Sequence, residues 1–320
     1  MKAMAQKAWK RGTPLEMIEL PDPLPKSDEV RVRVTACSVN PVDYKMRTFG
    51  PLRMAAMVIG PPPPVVVGID FAGVVDAVGD KVSAWVVGDR VAGGTVFSRG
   101  QRGAAADTVC VRDDQLVKIA ATVSDEVAGC IAVIGATAKL CLDDVGQLPR
   151  GGSVLVLGAS GGVGQLVVQL ARATYDASVV GVCSAKNFDL VTRLGAENVI
   201  DYNAGDPLVA AKAFGPFDVV VDCAGGYSGF GCRALLKSSG RHVIVAGDTP
   251  ASVLQIVVPP FSSKLVLGEP RTRHLQPIMD ALAAGTITIA IAERLPLREL
   301  QRAHELSQTG RMIGKIVMIP

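Results

Sequence analysis

Ser153-Val-Leu-Val-Leu-Gly-Ala-Ser-Gly-Gly-Val-Gly164 runs from a short apolar stretch into a glycine-rich turn. A parallel strand buried on both faces is continuously apolar, and 153–157 has that character. The turn needs glycine so that backbone can come close to a phosphate. Gln165-Leu-Val-Val-Gln-Leu-Ala-Arg172 then reads as a helix whose free N–H groups and positive dipole end face that phosphate. A strand before and a helix after are the context a dinucleotide site requires. Ala159, Ser160, Gly161, Gly162, Val163 and Gly164 are therefore expected to cradle the phosphates.

The chain has 320 residues, long for one hydrophobic core, so two domains are expected. A net charge of +3 gives no reason to expect nucleic acid or an acidic membrane as partner. The 7 cysteines are scattered and form no C-x-x-C pair, which argues against zinc ribbons and redox motifs. Most lie in apolar runs, where a free thiol behaves as a small hydrophobe. A cytoplasmic or other reducing compartment, organellar ones included, is expected. Residues 1–11 are basic without an apolar segment, so no secretory signal is expected. The uncharged stretch 151–171 is long enough to span a membrane, but the glycine turn divides it. No integral membrane segment is expected.

Up to Thr122 the chain reads as β-rich. Glu29-Val-Arg-Val-Arg-Val-Thr35 alternates apolar and polar residues, the mark of a half-buried strand. Pro61 to Pro64 form a rigid connector. Further short strands over 65–69, 73–78, 88–91 and 107–111 complete the pattern of an antiparallel barrel-like domain. Beyond Thr122, strands alternate with helices. Strand 153–157 precedes a helix over 162–173, and strand 178–183 precedes one over 187–194 that Gly195 stops. Asp206-Pro207 is a helix start, a cap followed by proline at the first helical position. Strands follow over 217–222 and 241–246. Repeated βα units predict a doubly wound parallel sheet. From Arg271 a helix, a short strand, a helix over 297–307 and a last strand over 315–319 follow.

Nine motifs lie along these elements: Ser38-Val-Asn-Pro-Val-Asp-Tyr-Lys45, Gly68-Ile-Asp-Phe-Ala-Gly-Val-Val75, Gly88-Asp-Arg-Val91, Gly135-Ala-Thr-Ala138, Ala159-Ser-Gly-Gly-Val-Gly164, Leu194-Gly-Ala196, Asp201-Tyr202, Asp222-Cys-Ala-Gly-Gly226 and Gly314-Lys315. In order and spacing the chain resembles the medium-chain dehydrogenase/reductase superfamily over nearly its whole length. The branch it resembles is the zinc-independent quinone oxidoreductases of chloroplast-envelope and mitochondrial kind. Short-chain dehydrogenases are disfavoured independently, because no tyrosine here starts a Y-x-x-x-K. The resemblance implies an α/β fold with a Rossmann doubly wound parallel sheet over 123–271. That sheet would be inserted in a β-rich GroES-like barrel domain made of 1–122 plus 272–320. The active site would lie where nicotinamide meets substrate.

Zinc-dependent members of that superfamily carry a cysteine where this chain has Asn40 and a histidine where it has Ile69. Isoleucine has no lone pair for a metal, and 93–109 contains no cysteine for a second, structural site. No metal is expected. Without a Lewis acid an alkoxide is hard to stabilise, whereas an already polarised quinone or enone needs less help.

An NAD site places Asp or Glu roughly 20 residues past the turn, at the end of the second strand. Here that stretch is Gly181-Val-Cys-Ser-Ala-Lys-Asn187, without an acid. Ser184 and Lys186 suit a 2′-phosphate, and Tyr202 lies where relatives use a tyrosine near it, so NADPH is the expected cofactor. Asn187, Cys223, Gly247, Arg311 and Lys315 complete the expected cofactor set. Thr137 is expected beside the nicotinamide or as the cap of the following helix.

The reducible oxygen needs a hydrogen bond or a proton, and Tyr44, Lys45 and Asn40 are the catalytic candidates. Asp70 reads as a structural acceptor for backbone N–H groups. Residues 46–58, 94–103 and 253–261 are expected to shape the substrate pocket. Segment 253–261 serves alternatively as the edge of an expected homodimer. The reading is an NADPH-dependent reductase of a small quinone or α,β-unsaturated carbonyl. Its alternatives are an enoyl-thioester reductase and a weakly catalytic NADPH-binding redox-sensing adaptor.

Overall fold

The computed structural model describes residues 1–10, 12–48, 50–245, 263–266, 268–310 and 312–320. The chain divides into two compact units. The first comprises Met1–Ala136, Glu269–Gly285 and Ile289–Pro320; the second comprises Thr137–Gly268 and Thr286–Thr288. The strands of the first half are β1 (Lys2–Gln6), β2 (Leu15–Glu19), β3 (Glu29–Ser38), β4 (Val65–Val66), β5 (Asp70–Val78), β6 (Arg90–Gly94), β7 (Thr108–Arg112) and β8 (Leu116–Lys118). Then come β9 (Ser153–Leu157), β10 (Ser178–Cys183), β11 (Asn198–Asp201), β12 (Phe217–Asp222), β13 (Leu236–Ile244), β14 (Lys264–Leu265), β15 (Ile291–Pro296) and β16 (Lys315–Ile319). The helices that matter below are α1 (Pro41–Thr48), α2 (Gly50–Ile59), α3 (Asp125–Ala128), α4 (Ile131–Leu142) and α5 (Gly162–Tyr175).

In the first unit the main sheet has the order β15-β16-β3-β5-β6-β8, with β7 also paired to β3. A smaller sheet has the order β2-β1-β4. The alternation of β3 buries Val30, Val32 and Val34 against Phe71, Val91, Leu116 and Met318. Each such side chain contributes about 1.5–3 kcal/mol of transfer free energy. The register of β3 on β5 shifts between Val34 and Ala36. Beyond the shift Ala36, Cys37 and Ser38 are all buried. Antiparallel pairing of β16 with β3, Val317 opposite Ser38, brings the C-terminal strand beside the start of α1.

The boundary between units falls later than Thr122, where the sequence reading put it. Arg90 and Thr35 both donate to the Asp125 carboxylate, at 2.5 and 2.7 Å, which ties α3 to the sheet of the first unit. The chain crosses within α4, between Ala136 and Thr137.

The second unit is a parallel sheet of order β11-β10-β9-β12-β13-β14, every pair parallel. This is the doubly wound arrangement expected. Strands 153–157, 178–183 and 217–222 are found at the expected residues. Asp206 caps the helix Pro207–Ala211 by accepting from the Leu208 N–H at 2.8 Å.

The first unit also buries an unusual polar group. Arg47 of α1 donates to Gln6 Oε1, to the Thr13 carbonyl and to His304 Nδ1. His304, fully buried, must be neutral to accept, and burial with the adjacent guanidinium holds its pKa at about 3. A folded pKa below the unfolded value of about 6.5 means stability that is present above pH 6.5 and lost as pH falls toward 3. The loss is on the order of a few kcal/mol. Urea midpoints measured from pH 7 to pH 4 are expected to fall more steeply for the wild-type chain than for His304→Gln. Parallel curves would show that His304 is not the titrating group.

Candidate active site

The carboxyl ends of β9 and β12 flank the point where strand order reverses, which is where open parallel sheets bind ligands. After β9 the chain turns at Gly158, with φ of 82°, a conformation glycine adopts without strain. A Cβ on Gly164 would stand 2.2 Å from the Gly158 carbonyl oxygen, so only glycine lets α5 come this close to the turn. Gly161 caps α5 with no side-chain hydrogen bond. The leading N–H groups at 162–164 have no intrahelical partner and remain available to an anion.

Beside this turn β10 ends at Cys183, in register with Asp201 of β11. Ser184 and Tyr202, the next residues of each strand, therefore lie side by side; Tyr202 donates its N–H to the Cys183 carbonyl at 3.3 Å. Tyr202 is half exposed and Lys186 is exposed. The Asp201 carboxylate is engaged by Asn203, through both its N–H and its amide, each at 2.9 Å. Asn187 donates from Nδ2 to Ser160 Oγ at 3.0 Å and so joins the phosphate turn to the Ser184–Lys186 corner. Ala159 is fully buried below the turn.

Thr137 lies inside α4 rather than at a helix start, so it caps nothing. It is buried against Gly268, where a Cβ would stand 2.5 Å from the Thr137 hydroxyl oxygen. Cys223 follows β12, and burial raises its thiol pKa well above the usual value, leaving it a protonated, unreactive thiol. Gly247, Arg311 and the segment 253–261 lie outside the described residues.

The other expected residues come together in the first unit. Lys315, expected at the cofactor phosphates, is buried and donates to the Val39 carbonyl at 3.0 Å, Asn40 Oδ1 at 2.5 Å and Asp70 Oδ2 at 3.3 Å. Asn40 donates to the same Asp70 oxygen at 2.9 Å and Ser38 Oγ–H donates to it at 2.7 Å. The second Asp70 oxygen accepts the Val133 N–H at 2.8 Å. Asp70 is thus a structural acceptor, as its setting suggested, but mainly of side-chain donors.

Next to this cluster is a small concavity of about 10 Å³, lined by Trp9, Asp43, Met46, Arg47, Ile69 and Phe97 among others. Trp9 and Phe97 meet edge to face, centroids 6.1 Å apart. Asp43, Met46 and Arg47 have the i, i+3, i+4 spacing of one helix face. Tyr44 and Lys45 do not line it; the Tyr44 ring sits against His304, centroids 6.5 Å apart. Asp43 was not among the sequence candidates. Its only sequence signal is a carboxylate three residues after Asn40, at the third position of α1. There Oδ2 accepts the Asn40 N–H at 2.8 Å.

Comparison with known proteins bears on this geometry. Residues 26–121 match the family described as alcohol dehydrogenase GroES-like domain, and 194–318 that described as zinc-binding dehydrogenase. The chain is 30% identical to the chloroplast envelope quinone oxidoreductase homolog of Arabidopsis thaliana over 96% of this chain and 94% of that protein. It belongs to the medium-chain dehydrogenase/reductase superfamily, in the quinone oxidoreductase branch. The quinone oxidoreductase from Coxiella burnetii superposes with a TM-score of 0.89 at 28% identity, covering 100% and 99% of the two chains. A third relative, the 2-methylene-furan-3-one reductase of Solanum lycopersicum, is 30% identical over 92% of this chain and 72% of that protein. The fold is accordingly a GroES-like domain with a Rossmann-type parallel sheet, and the protein is an oxidoreductase of a family that uses nicotinamide nucleotides.

The glycine cradle and the free N–H groups of α5 fit a dinucleotide of that family. A zinc ion fits poorly. At the positions where zinc-dependent members offer ligands this chain has apolar Ile69 and an Asn40 whose amide is hydrogen-bonded at both ends. The neighbouring Cys130 is buried, and burial pushes its thiol pKa up to about 12. Among the described residues no three of His, Cys, Asp and Glu converge on one point. Likewise, no helix among the described residues is long and apolar enough to cross a membrane.

Proposed function

We propose that this medium-chain oxidoreductase uses NADPH to reduce quinones or α,β-unsaturated carbonyls, without a metal. The observation that carries the reading is the corner formed by Ser184, Lys186 and Tyr202. It offers a hydroxyl, an ammonium and a phenol where an NAD site would offer a carboxylate to the ribose 2′-hydroxyl. The phosphate turn and the N-terminus of α5 would hold the pyrophosphate, with Asn187 keeping Ser160 in place. When bound, the nicotinamide supplies the hydride. The chain supplies position, exclusion of water by apolar walls and a group that neutralises charge on the reduced oxygen. The activities for which two relatives are named, a quinone oxidoreductase homolog and a 2-methylene-furan-3-one reductase, support this class of acceptor.

The test is NADPH oxidation in the presence of 9,10-phenanthrenequinone, a simple enone and an enoyl-CoA. Turnover with the first two is expected, unchanged after exhaustive dialysis against a chelator. Tight NADPH binding with no turnover of any acceptor would instead support the adaptor alternative, and turnover of the thioester alone an enoyl-thioester reductase.

A further inference from the structure

Ser160 is the one residue of the turn 159–164 that carries a hydroxyl, and it is held from two sides. Gln165, in the first turn of α5, donates from Nε2 to the Ser160 carbonyl at 2.8 Å. Asn187 donates from Nδ2 to the Ser160 hydroxyl oxygen at 3.0 Å. Both amide side chains belong to buried residues, 4% and 6% exposed, whereas Ser160 is only partly buried. A hydroxyl that accepts from Asn187 still has its own hydrogen to donate. Among the described residues that hydrogen has no acceptor. It is a donor left over at the turn, beside the N–H groups that open α5.

Asn187 is itself fixed by the short turn it closes. Its N–H donates to the Ser184 carbonyl at 2.8 Å, and the N–H of Phe188 donates to the Ala185 carbonyl. The same turn carries Lys186, which is exposed. Two consecutive residues therefore have different surroundings: Lys186 meets solvent, and Asn187 meets the glycine turn.

We propose that Asn187 is a positioning residue for the pyrophosphate: its buried amide occupies a lone pair of the Ser160 oxygen and leaves the hydroxyl hydrogen to donate to a phosphate oxygen. The inference rests on the nucleotide reading above and deepens it. One short turn then serves two phosphate groups. Lys186 reads the 2′-phosphate, and Asn187 acts on the pyrophosphate through Ser160. Gln165 completes the support by fixing the Ser160 carbonyl. A donor held in place before the ligand arrives loses less freedom on binding than one that must be ordered by it. The pyrophosphate is common to NADPH and NADH, so the effect of Asn187 is the same on both.

The test is equilibrium binding of NADPH and of NADH, followed by nucleotide fluorescence with no acceptor present. It compares wild-type protein with Asn187→Ala, Ser160→Ala and the double variant. Each single variant is expected to weaken both nucleotides about tenfold, the effect of one charge-assisted hydrogen bond, with the ratio between them unchanged. The double variant is expected to bind as the weaker single variant does, because both changes remove the same donor. Asn187→Asp is expected to lose more than Asn187→Ala, since a carboxylate only accepts, takes the Ser160 hydrogen for itself and repels phosphate. Losses that multiply in the double variant overturn the proposal; they are what an Asn187 that merely stabilises the fold gives. A loss confined to NADPH also overturns it, by making Asn187 part of the 2′-phosphate corner. If the Asn187 variants fail to fold, Ser160→Ala alone decides: unchanged affinity for both nucleotides overturns the proposal, and a loss of about tenfold for both supports it. Wild-type protein that binds neither nucleotide overturns the cofactor reading and the proposal together. Wild-type protein that prefers NADH, with the non-additive pattern intact, overturns the NADPH reading alone.

Discussion

Lys315→Met is expected to destabilise the first unit by about 3–5 kcal/mol, the usual result of removing one member of a buried ion pair. Asp70 is fully buried and Lys315 is 5% exposed. Without the ammonium, Asp70 keeps the donors of Ser38, Asn40 and Val133, but its charge loses its only cation at ion-pair distance among the described residues. Those remaining donors argue for the lower end of the range. The effect is regional, because Lys315 is also what fastens β16 to Val39 and Asn40. Both tryptophans, Trp9 and Trp85, lie in the first unit and report on it directly. Urea unfolding followed by tryptophan fluorescence should show the midpoint drop. The double variant Lys315→Met with Asp70→Asn should recover a large share of it, since a neutral amide no longer needs a cation. A loss below about 1 kcal/mol in the single variant would mean that the pair contributes no more than a surface bridge.

Lys186→Ala is expected to raise the KM for NADPH by about 10- to 100-fold and to leave that for NADH within about twofold. A charge-assisted hydrogen bond to phosphate contributes about 1.5–3 kcal/mol net, and every 1.4 kcal/mol or so is a factor of ten in affinity. The lysine is exposed, so the lower half of the range applies at physiological salt, and the preference should weaken as salt is raised. The neighbours Ser184 and Tyr202 would preserve part of the preference in the variant. Steady-state kinetics with both nucleotides decide the matter: equal losses for NADPH and NADH would assign Lys186 to general electrostatics rather than to the 2′-phosphate.

Much of the fold was legible along the chain, for reasons that differ between the two units. Strands β9 and β10 are nearly continuous apolar runs, and β12 is one apart from Asp218 and the closing Asp222; each is followed by a turn or cap, a signal carried locally. Strand β3 announced itself by alternation up to Thr35, and its extension to Ser38 was hidden because the register shift places consecutive residues in the core. Strands β11 and β14 escaped notice, since Asn198-Val-Ile-Asp201 and Lys264-Leu265 are too short to show a period. The hairpin of β1 and β2 and the helices α1 and α2 escaped for the same reason: short elements joined by tertiary contacts have little intrinsic signature.

The site divides in the same way. The expected phosphate turn, Ser184 and Lys186 lie close together in the chain, on one βα unit and the start of the next, where local chemistry proposes them. Lys315 and Asp43 do not. Lys315 next to a glycine near the C-terminus looked like a phosphate ligand, and only the pairing of β16 with β3 turned its ammonium onto Asn40 and Asp70. Tyr44 and Lys45 were attractive as proton donors by residue type, yet the face that α1 presents to the concavity is that of Asp43, Met46 and Arg47.

By itself, then, the sequence determined the family, the doubly wound parallel sheet and the glycine turn after β9, because hydrophobic period, glycine geometry and capping act over a few neighbouring residues. Tertiary structure alone decided which charges are buried and, among the described residues, which carboxyl oxygen of Asp43 is left without a hydrogen-bond partner. Those depend on desolvation and on pairings between residues as far apart as Asn40 and Lys315, which no local pattern encodes.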